Sequence, residues 1–257
     1  MDLHLSGKTA VVTGAGKGIG LAVTRALLDE GVKVVAGSRT VEGELEDLPV
    51  DAIAVDLSTA DGPARLVDEA VARAGGIDIL VNNVGAVHPR PAGFTSVTDE
   101  DWFATLTLDL MSAVRTTRAA VPTLIERSGV IVTTCSVNAT LPDPLVIDYS
   151  AAKAACLSFF KSLSKELGPR GVRVNTVSPG PVATDLWLGK GGVAETVGGA
   201  VGAAPGDVAA QAAKDSVTGR FTRPEEVADL IVFLASDRAG NLTGADIVID
   251  GGMTPTI

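Results

Sequence analysis

The chain has 257 residues, 46% of them hydrophobic, 20% charged and 4% aromatic, and this composition excludes disordered, collagen-like and coiled-coil proteins. Acidic residues outnumber basic ones by 31 to 21, and the net charge of −10 argues against nucleic acid as a partner. We expect no membrane partner and a cytoplasmic location, because the sequence shows neither a signal-peptide pattern nor an apolar stretch of about 18 residues.

Short apolar runs alternate with segments of helical period along the chain. This alternation is typical of a parallel sheet covered by helices on both faces. Because about 250 residues commonly form one such sheet, we expect a single domain over residues 1–257, with a doubly wound α/β sheet of seven parallel strands. The strands are predicted at residues 9–13, 33–36, 52–55, 79–81, 130–135, 173–177 and 247–249.

The segments between these runs predict helices. After the first strand, apolar residues recur on one helical face and indicate a βαβ unit: Ile19, Ala22, Val23, Ala26 and Leu27. Thr98 followed by Asp101 resembles a capping box and predicts a long helix over residues 99–127. Pro122 lies inside this segment, so we expect the helix to bend or break there.

One segment, residues 189–206, is rich in Gly and Ala. Two interpretations of it stay open. It is either a flexible surface loop or part of a lid, over about residues 186–220, that covers a binding site.

A glycine-rich turn follows the first strand and opens the first helix. It consists of Thr13-Gly14-Ala15-Gly16-Lys17-Gly18-Ile19-Gly20. In a βαβ unit, glycines at this place let backbone N–H groups approach a pyrophosphate at the helix N-terminus. The turn therefore predicts a dinucleotide site.

The end of the second strand bears on the choice of cofactor. Enzymes that use NAD place a carboxylate there to bind the 2′-hydroxyl of the adenosine ribose, whereas this chain has Ser38 and Arg39. Arg39 and Lys17 are suited to bind a 2′-phosphate together, which predicts NADP(H) as the cofactor. The alternative is NAD(H), with Arg39 stacked on the adenine.

Three polar residues are predicted to supply the reacting groups. Tyr149 and Lys153 lie four residues apart, a spacing that puts both side chains on one face of a helix. Because an ammonium stabilises a nearby phenolate, Lys153 is expected to move the pKa of Tyr149 towards the neutral range. Ser136, after the fifth strand, adds a hydroxyl that can donate a hydrogen bond to a substrate oxygen.

With these residues the sequence resembles the short-chain dehydrogenase/reductase family. Tyr149 and Lys153 match its Tyr-x-x-x-Lys motif, and Ser136 stands where the family keeps its serine. Other segments match in family order: the glycine-rich turn, Asn82-Asn83-Val84-Gly85, Pro179-Gly180 followed by Val182 and Thr184, and Asp250-Gly251-Gly252. The resemblance extends over almost the whole chain.

The resemblance implies a Rossmann fold and an oxidoreductase that interconverts a carbonyl and a secondary alcohol by hydride transfer. Tyr149 would then be the acid/base, Ser136 would polarise the carbonyl, and Lys153 would modulate the phenol and bind the nicotinamide ribose. The implied cofactor-binding residues are Gly14, Gly16, Lys17, Gly18, Ile19, Gly20, Ser38, Arg39, Asp56, Leu57, Asn83, Gly85, Tyr149, Lys153, Pro179, Gly180, Val182 and Thr184.

One position departs from the family pattern. The family's active-site Asn falls on Asp109 here, and we include Asp109 among the expected catalytic residues. An ionised Asp only accepts hydrogen bonds, whereas Asn also donates them. We expect Asp109 to hold a relay water or to contact Lys153 directly; the alternative is that it signals weakened catalysis.

A mostly apolar pocket is predicted from Asn138, Leu141, Pro144 and Val146, and it favours a ketone or alcohol with an apolar body, such as a 3-oxoacyl compound. Trp187 either lines this pocket or anchors the lid. His88 and Arg90 are left outside the catalytic set, because loop residues of these types are usually solvated.

Partners and rival functions complete the expectations. Two His and two Cys show no zinc-ligand spacing, so no metal is expected, and Cys135 and Cys156 are interpreted as reduced packing residues. By resemblance we expect a homotetramer. The long helix after Thr98 and the helix that carries Tyr149 would pack against a second subunit, and residues 252–257 would lie at another interface. The rival functions are an NAD-linked alcohol dehydrogenase and a catalytically silent dinucleotide-binding sensor or scaffold.

Overall fold

The apolar runs of the sequence form one sheet. The computed structural model describes residues 1–255. The strands are β1 Thr9–Thr13, β2 Lys33–Ser38, β3 Asp51–Ala54, β4 Ile79–Asn82, β5 Val130–Thr134, β6 Arg173–Pro179 and β7 Asp246–Ile249. All neighbouring strands are parallel, in the order β3-β2-β1-β4-β5-β6-β7. The predicted doubly wound α/β sheet of seven parallel strands, a Rossmann fold in a single domain, is confirmed.

Helices cover both faces of the sheet. The α-helices are α1 Gly18–Asp29, α2 Gly62–Ala74, α3 Asp99–Leu106, α4 Ser112–Glu126, α5 Ile147–Leu167, α6 Asp185–Leu188, α7 Val193–Val201, α8 Pro205–Lys214 and α9 Pro224–Ala235. One hydrophobic core includes Leu27 of α1 and Ile231 of α9. The other includes Leu66 of α2, Leu124 of α4 and Phe160 of α5. Because each face of the sheet is covered, every residue of β1 and β5 is buried.

The long helix predicted over residues 99–127 is interrupted at a different place from the one expected. Thr98 does form a capping box with Asp101 and begins α3. The α-helical geometry then gives way to a π-helical turn at Thr107–Met111, and α4 continues through Pro122. The prediction of a break at Pro122 is therefore wrong. A π-helical turn depends on tertiary contacts that the local sequence does not show.

The reversal of strand order between β1 and β4 places a crevice at the carboxyl ends of the strands. Thr13 joins the two strand ends. Its hydroxyl accepts hydrogen bonds from the backbone N–H groups of Asn83 (2.9 Å) and Val84 (3.3 Å), and it donates one to the carbonyl of Val81 (3.3 Å). The segments that follow β1 and β4 are thus held side by side.

Most of the Gly- and Ala-rich segment 189–206 is helical, since α7 and the start of α8 lie within it. Val193 and Ala194 are buried. A movement of residues 186–220 as a lid over a binding site stays a prediction. Among residues 1–255, none of the helices has the length and apolarity needed to span a bilayer.

Candidate active site

A cavity of about 1500 Å³ lies at the carboxyl ends of the strands. It brings together nearly all of the predicted site residues, although they are spread from the first strand to the sixth. Those that line it are Gly14, Gly16, Lys17, Gly18, Ile19, Ser38, Arg39, Asp56, Leu57, Asn83, Gly85, Ser136, Tyr149, Lys153, Pro179, Gly180, Val182 and Thr184.

Two predicted site residues, Gly20 and Asp109, lie behind the cavity wall. A Cβ atom on Gly20 would stand 2.1 Å from the carbonyl oxygen of Gly14 and 2.6 Å from Nδ2 of Asn83. A side chain at this position would therefore collide with the turn, and glycine lets α1 pack against it. Asp109 contacts Lys153 and accepts a hydrogen bond from the N–H of Ala86, and both of these residues line the cavity.

The glycine-rich turn suits an anionic group. α1 begins at Gly18, its first turn carries no acidic residue, and Lys17 at its N-cap makes no side-chain capping hydrogen bond. α3, in contrast, carries three acidic residues in its first turn and is capped by Thr98. A Cβ atom on Gly16 would lie 2.5 Å from Oγ of Ser38, so the close approach of these segments requires glycine. The turn thus offers free N–H groups at a helix N-terminus, as a pyrophosphate requires.

Charged groups of both signs line the end of the cavity near β2 and β3. Lys17 and Arg39 are exposed there, together with Glu42 and Asp56. Asp56 is engaged by Ser58, whose Oγ and backbone N–H donate to Oδ1 at 2.7 and 2.9 Å. These hydrogen bonds, with the nearby charge of Arg39, hold the pKa of Asp56 below its usual value.

α5 carries both residues of the Tyr-x-x-x-Lys motif, and the helical spacing places them side by side. The Nζ atom of Lys153 lies 5.5 Å from the ring centroid of Tyr149, and it donates a hydrogen bond to the carbonyl of Thr134 at 3.2 Å. Ser136 lies two residues after the end of β5, and its Oγ accepts a hydrogen bond from the backbone N–H of Asn138 at 3.1 Å. Lys153 and Ser136 are buried beside the cavity.

The pKa of Tyr149 does not follow the simple expectation. Lys153 and Ser136 lower it, but burial of the phenol raises it, Asp109 raises it further, and the net pKa lies above the ordinary value. The prediction that Lys153 brings the pKa of Tyr149 to the neutral range is therefore wrong for the chain without a bound cofactor. At neutral pH Tyr149 keeps its proton, and this suits a proton donor.

Asp109 contacts Lys153 directly. It lies on the π-helical turn, its Oδ1 is 3.7 Å from Nζ of Lys153, and the same oxygen accepts a hydrogen bond from the N–H of Ala86 at 3.1 Å. Burial raises the pKa of Asp109 to about 6, against the opposing effect of Lys153. Burial lowers the pKa of Lys153, but Tyr149 and Asp109 raise it more, so the ammonium stays charged.

Gly85 makes the contact between Asp109 and Lys153 sterically possible. A Cβ atom at this position would lie 2.7 Å from Oδ1 of Asp109 and 3.3 Å from Nζ of Lys153. The glycine of the Asn-Asn-Val-Gly segment therefore serves the ion pair as well as the cavity wall.

The two cysteines are free and buried, as their interpretation as packing residues requires. Cys156 also donates a hydrogen bond from Sγ to the backbone carbonyl of Asp109 at 3.1 Å. This contact supports the π-helical turn, and the sequence pattern did not indicate it.

The remaining walls of the cavity are formed by the residues predicted for the substrate pocket: Asn138, Leu141, Pro144, Val146 and Trp187. The ring of Trp187 packs edge-on against Phe221, with centroids 5.4 Å apart. The helix α8 contributes polar side chains that the sequence did not indicate, among them Asp207 and Gln211.

His88 lines the cavity, whereas Arg90 has turned away and forms ion pairs. Sequence reasoning left Arg90 out as a solvated loop residue, and its side chain is only 17% exposed. Its partner Asp148 lies far along the chain, so no local pattern could indicate the pair. Within residues 1–255, no cluster of three or more His, Cys, Asp or Glu side chains is arranged for a metal ion.

Comparison with known proteins gives consistent matches over the full chain. The family model described as enoyl-(acyl carrier protein) reductase matches residues 14–254. A 3-oxoacyl-(acyl-carrier-protein) reductase of Thermotoga maritima is 35% identical over 98% of this chain and 99% of its own length. D-threitol dehydrogenase of Mycolicibacterium smegmatis is 36% identical over 98% and 95%. The structure of L-sorbose reductase from Gluconobacter frateurii, complexed with NADPH and L-sorbose, superposes with a TM-score of 0.91 at 33% identity and full coverage of both chains.

The ionisation of Tyr149 can be measured directly, because Tyr149 is the only tyrosine of the chain. The Asp109→Asn substitution removes a carboxylate that raises the pKa of Tyr149, so this pKa should fall. The measurement is a pH titration of the single ¹³C-tyrosine resonance, over the range in which circular dichroism shows the fold intact. Asp229→Asn, which neutralises an exposed carboxylate on α9 outside the cavity, is the control and should leave the pKa unchanged. An equal pKa of Tyr149 in both variants would contradict the coupling between Asp109 and Tyr149.

Proposed function

The chain belongs to the short-chain dehydrogenase/reductase family of carbonyl/alcohol oxidoreductases, and on that premise we propose that it reduces a ketone to a secondary alcohol with NADPH. The observation that carries the proposal is the convergence of Ser136, Tyr149 and Lys153 on one cavity beside a glycine-rich turn. The alternative direction, alcohol oxidation, uses the same groups in reverse.

Each of the three residues has a distinct role in the proposed reaction. Ser136 donates a hydrogen bond to the substrate oxygen and polarises the carbonyl. Tyr149, protonated at neutral pH, donates its proton to that oxygen. When bound, the nicotinamide supplies the hydride. Lys153 stabilises the phenolate that proton donation leaves behind.

Asp109 acts through Lys153 and is a positioning residue in this proposal. The carboxylate holds the buried ammonium in place at 3.7 Å and partly balances its charge. Because the pKa of Asp109 is about 6, the carboxylate is mostly ionised above that pH and takes up a proton below it. The rival function, a silent sensor or scaffold, was motivated by the Asp at this position, and the direct contact with Lys153 favours retained activity instead.

The turn and the walls around it suit a dinucleotide. The N–H groups at the start of α1 would hold the pyrophosphate, and Gly16 lets the turn approach Ser38 closely. In this proposal Asp56 and Leu57 meet the adenine, Asn83 lines the cleft, and Lys153 binds the nicotinamide ribose. The nicotinamide end lies along Pro179, Gly180, Val182 and Thr184.

Lys17 and Arg39 support NADP(H) over NAD(H). Both are exposed cations at the same end of the cavity, where each could form a charge-assisted hydrogen bond to a 2′-phosphate. Oδ1 of Asp56 already accepts two hydrogen bonds from Ser58. Glu42 is the carboxylate that would favour the rival cofactor, NAD(H), since it lines the same region.

The substrate proposed is an uncharged ketone with an apolar body, for which 3-oxoacyl compounds are one class. Leu141, Pro144, Val146 and Trp187 supply an apolar wall for such a body. The polar groups of α8 on the same cavity extend the range to hydroxylated ketones.

For the assembly we propose a homotetramer, as the family resemblance implies, in a cytoplasmic setting that keeps Cys135 and Cys156 reduced. Phe103 lies on α3, in the helical segment that the resemblance places at a subunit interface, and it is 69% exposed. The other interface was expected at residues 252–257, of which the last two lie outside the described residues.

Turnover with a panel of ketones and NADPH tests the proposed reaction. We expect Tyr149→Phe to lower kcat by about a hundredfold or more, since a general acid contributes that much, with little change in the Kd for NADPH. Asp229→Asn serves as the control and should keep the wild-type rate. Tight cofactor binding without turnover of any ketone or alcohol would instead support the silent binding protein.

The cofactor preference is tested by the ratio of kcat/KM for NADPH and NADH. Replacing both Lys17 and Arg39 with Ala should lower this ratio by about a hundredfold or more, because two charge-assisted hydrogen bonds are lost. The control is Arg73→Ala, which removes an exposed arginine from the end of α2. A wild-type preference for NADH would overturn the assignment.

The assembly is tested by sedimentation velocity. A homotetramer should sediment with the mass of four 26.0 kDa chains. Phe103→Asp should shift the protein to smaller species, because a charge would be buried at the interface. A wild-type monomer would contradict the proposal.

A further inference from the structure

A cluster of charged side chains lies directly beside the proposed acid, outside the catalytic set. Asp148 precedes Tyr149 in the first turn of α5, and its side chain is 2% exposed. The guanidinium of Arg90 donates to Oδ2 of Asp148 from Nη2 at 2.6 Å and from Nε at 3.2 Å. Thr105 of α3 donates to the same oxygen at 2.8 Å. Three donors thus converge on one buried carboxylate oxygen.

Arg90 connects three segments of the chain. Its Nη1 donates to Oδ1 of Asp101 on α3 at 2.9 Å, and its backbone N–H donates to the carbonyl of Leu145, just before α5, at 2.6 Å. His88 and Pro89, immediately upstream, line the cavity. The segment after β4, the start of α3 and the first turn of α5 are therefore joined at one guanidinium.

We propose that Arg90 is a positioning residue that holds the hydroxyl of Tyr149 in place by clamping Asp148, and with it the first turn of α5. The inference rests on the proposed function, because it assigns the clamp to the reduction that Tyr149 serves. The clamp also sets the distance between Tyr149 and the cavity wall at His88 and Pro89.

The burial of Asp148 makes the clamp necessary. An ionised carboxylate removed from water needs a paired cation and hydrogen bonds, and Arg90 supplies most of them. Burial alone would raise the pKa of Asp148, but Arg90 and Thr105 lower it below the ordinary value. Oδ1 of Asp148 has no hydrogen-bond partner among the described residues, so the carboxylate depends on the contacts at Oδ2.

Without Arg90, the carboxylate must reach solvent or take up a proton. Either response moves Asp148 from its present position, and in this proposal the neighbouring Tyr149 moves with it. The buried pair differs in this respect from the ion pairs of α2, where Arg65 and Arg73 are largely exposed and contact Glu69 on a helix surface.

The test uses Arg90→Met, with Arg73→Met as a control that removes another arginine with two carboxylate partners, Glu69 and Asp51. We expect Arg90→Met to lower kcat by about tenfold to a hundredfold, since small misplacements of a reacting group cost that much, while the Kd for NADPH changes less than about twofold. Arg73→Met should leave both constants at the wild-type values.

A second readout does not depend on turnover. In Arg90→Met, the single ¹³C-tyrosine resonance should shift, and the pKa of Tyr149 should fall towards its ordinary value as the phenol gains solvent. If the wild type reduces no ketone, the proposed function fails, and this resonance still decides whether Arg90 positions Tyr149. Wild-type kcat and an unmoved resonance in Arg90→Met would overturn the clamp.

The double variant tests the route through Asp148. Asp148→Asn added to Arg90→Met removes the unpaired buried charge, so part of the lost kcat should return. A double variant no faster than Arg90→Met would overturn this route.

Should Arg90→Met fail to fold, Arg90→Lys is the substitute variant. It keeps the charge but loses the simultaneous contacts of the guanidinium with Asp148 and Asp101. It should give an intermediate kcat and an intermediate shift of the tyrosine resonance. Wild-type values of both in Arg90→Lys would count against the proposal.

Discussion

A buried ammonium is the group on which the rest of this site depends. Lys153 is 4% exposed, and removing a charge from water to this extent is costly unless other groups compensate. The compensation comes from the carboxylate of Asp109, the carbonyl of Thr134 and the electron-rich face of the Tyr149 ring. Because these groups belong to the π-helical turn, β5 and α5, the cation links three elements at one point.

Several local features become intelligible once the ammonium is in place. Gly85 lacks a side chain where one would collide with both members of the ion pair. The π-helical turn places Asp109 behind Lys153, and Cys156 hydrogen-bonds the backbone carbonyl of Asp109. Burial is the main reason why the phenol of Tyr149 keeps its proton, and Asp109 adds to it by offsetting part of the effect of Lys153.

The sequence indicated the fold well, and the position of the helix interruption shows where it failed. Seven strands and the glycine-rich turn follow from local patterns, and nearly every predicted site residue lines the cavity. The break expected at Pro122 was wrong, because the interruption at Thr107–Met111 arises where Asp109 turns towards Lys153. The contact between Asp109 and Lys153 joins residues distant in sequence, and no local pattern could indicate it.

The sequence by itself determined the parallel sheet and the spacing of Tyr149 and Lys153, since strand periodicity and helical pitch depend on neighbouring residues alone. Only the tertiary structure decided how the charges are paired: Asp109 with Lys153, and Arg90 with Asp148. The physical reason is that ionisation inside a protein depends on burial and on the distance to other charges. Both quantities exist only after segments far apart in the chain have packed together.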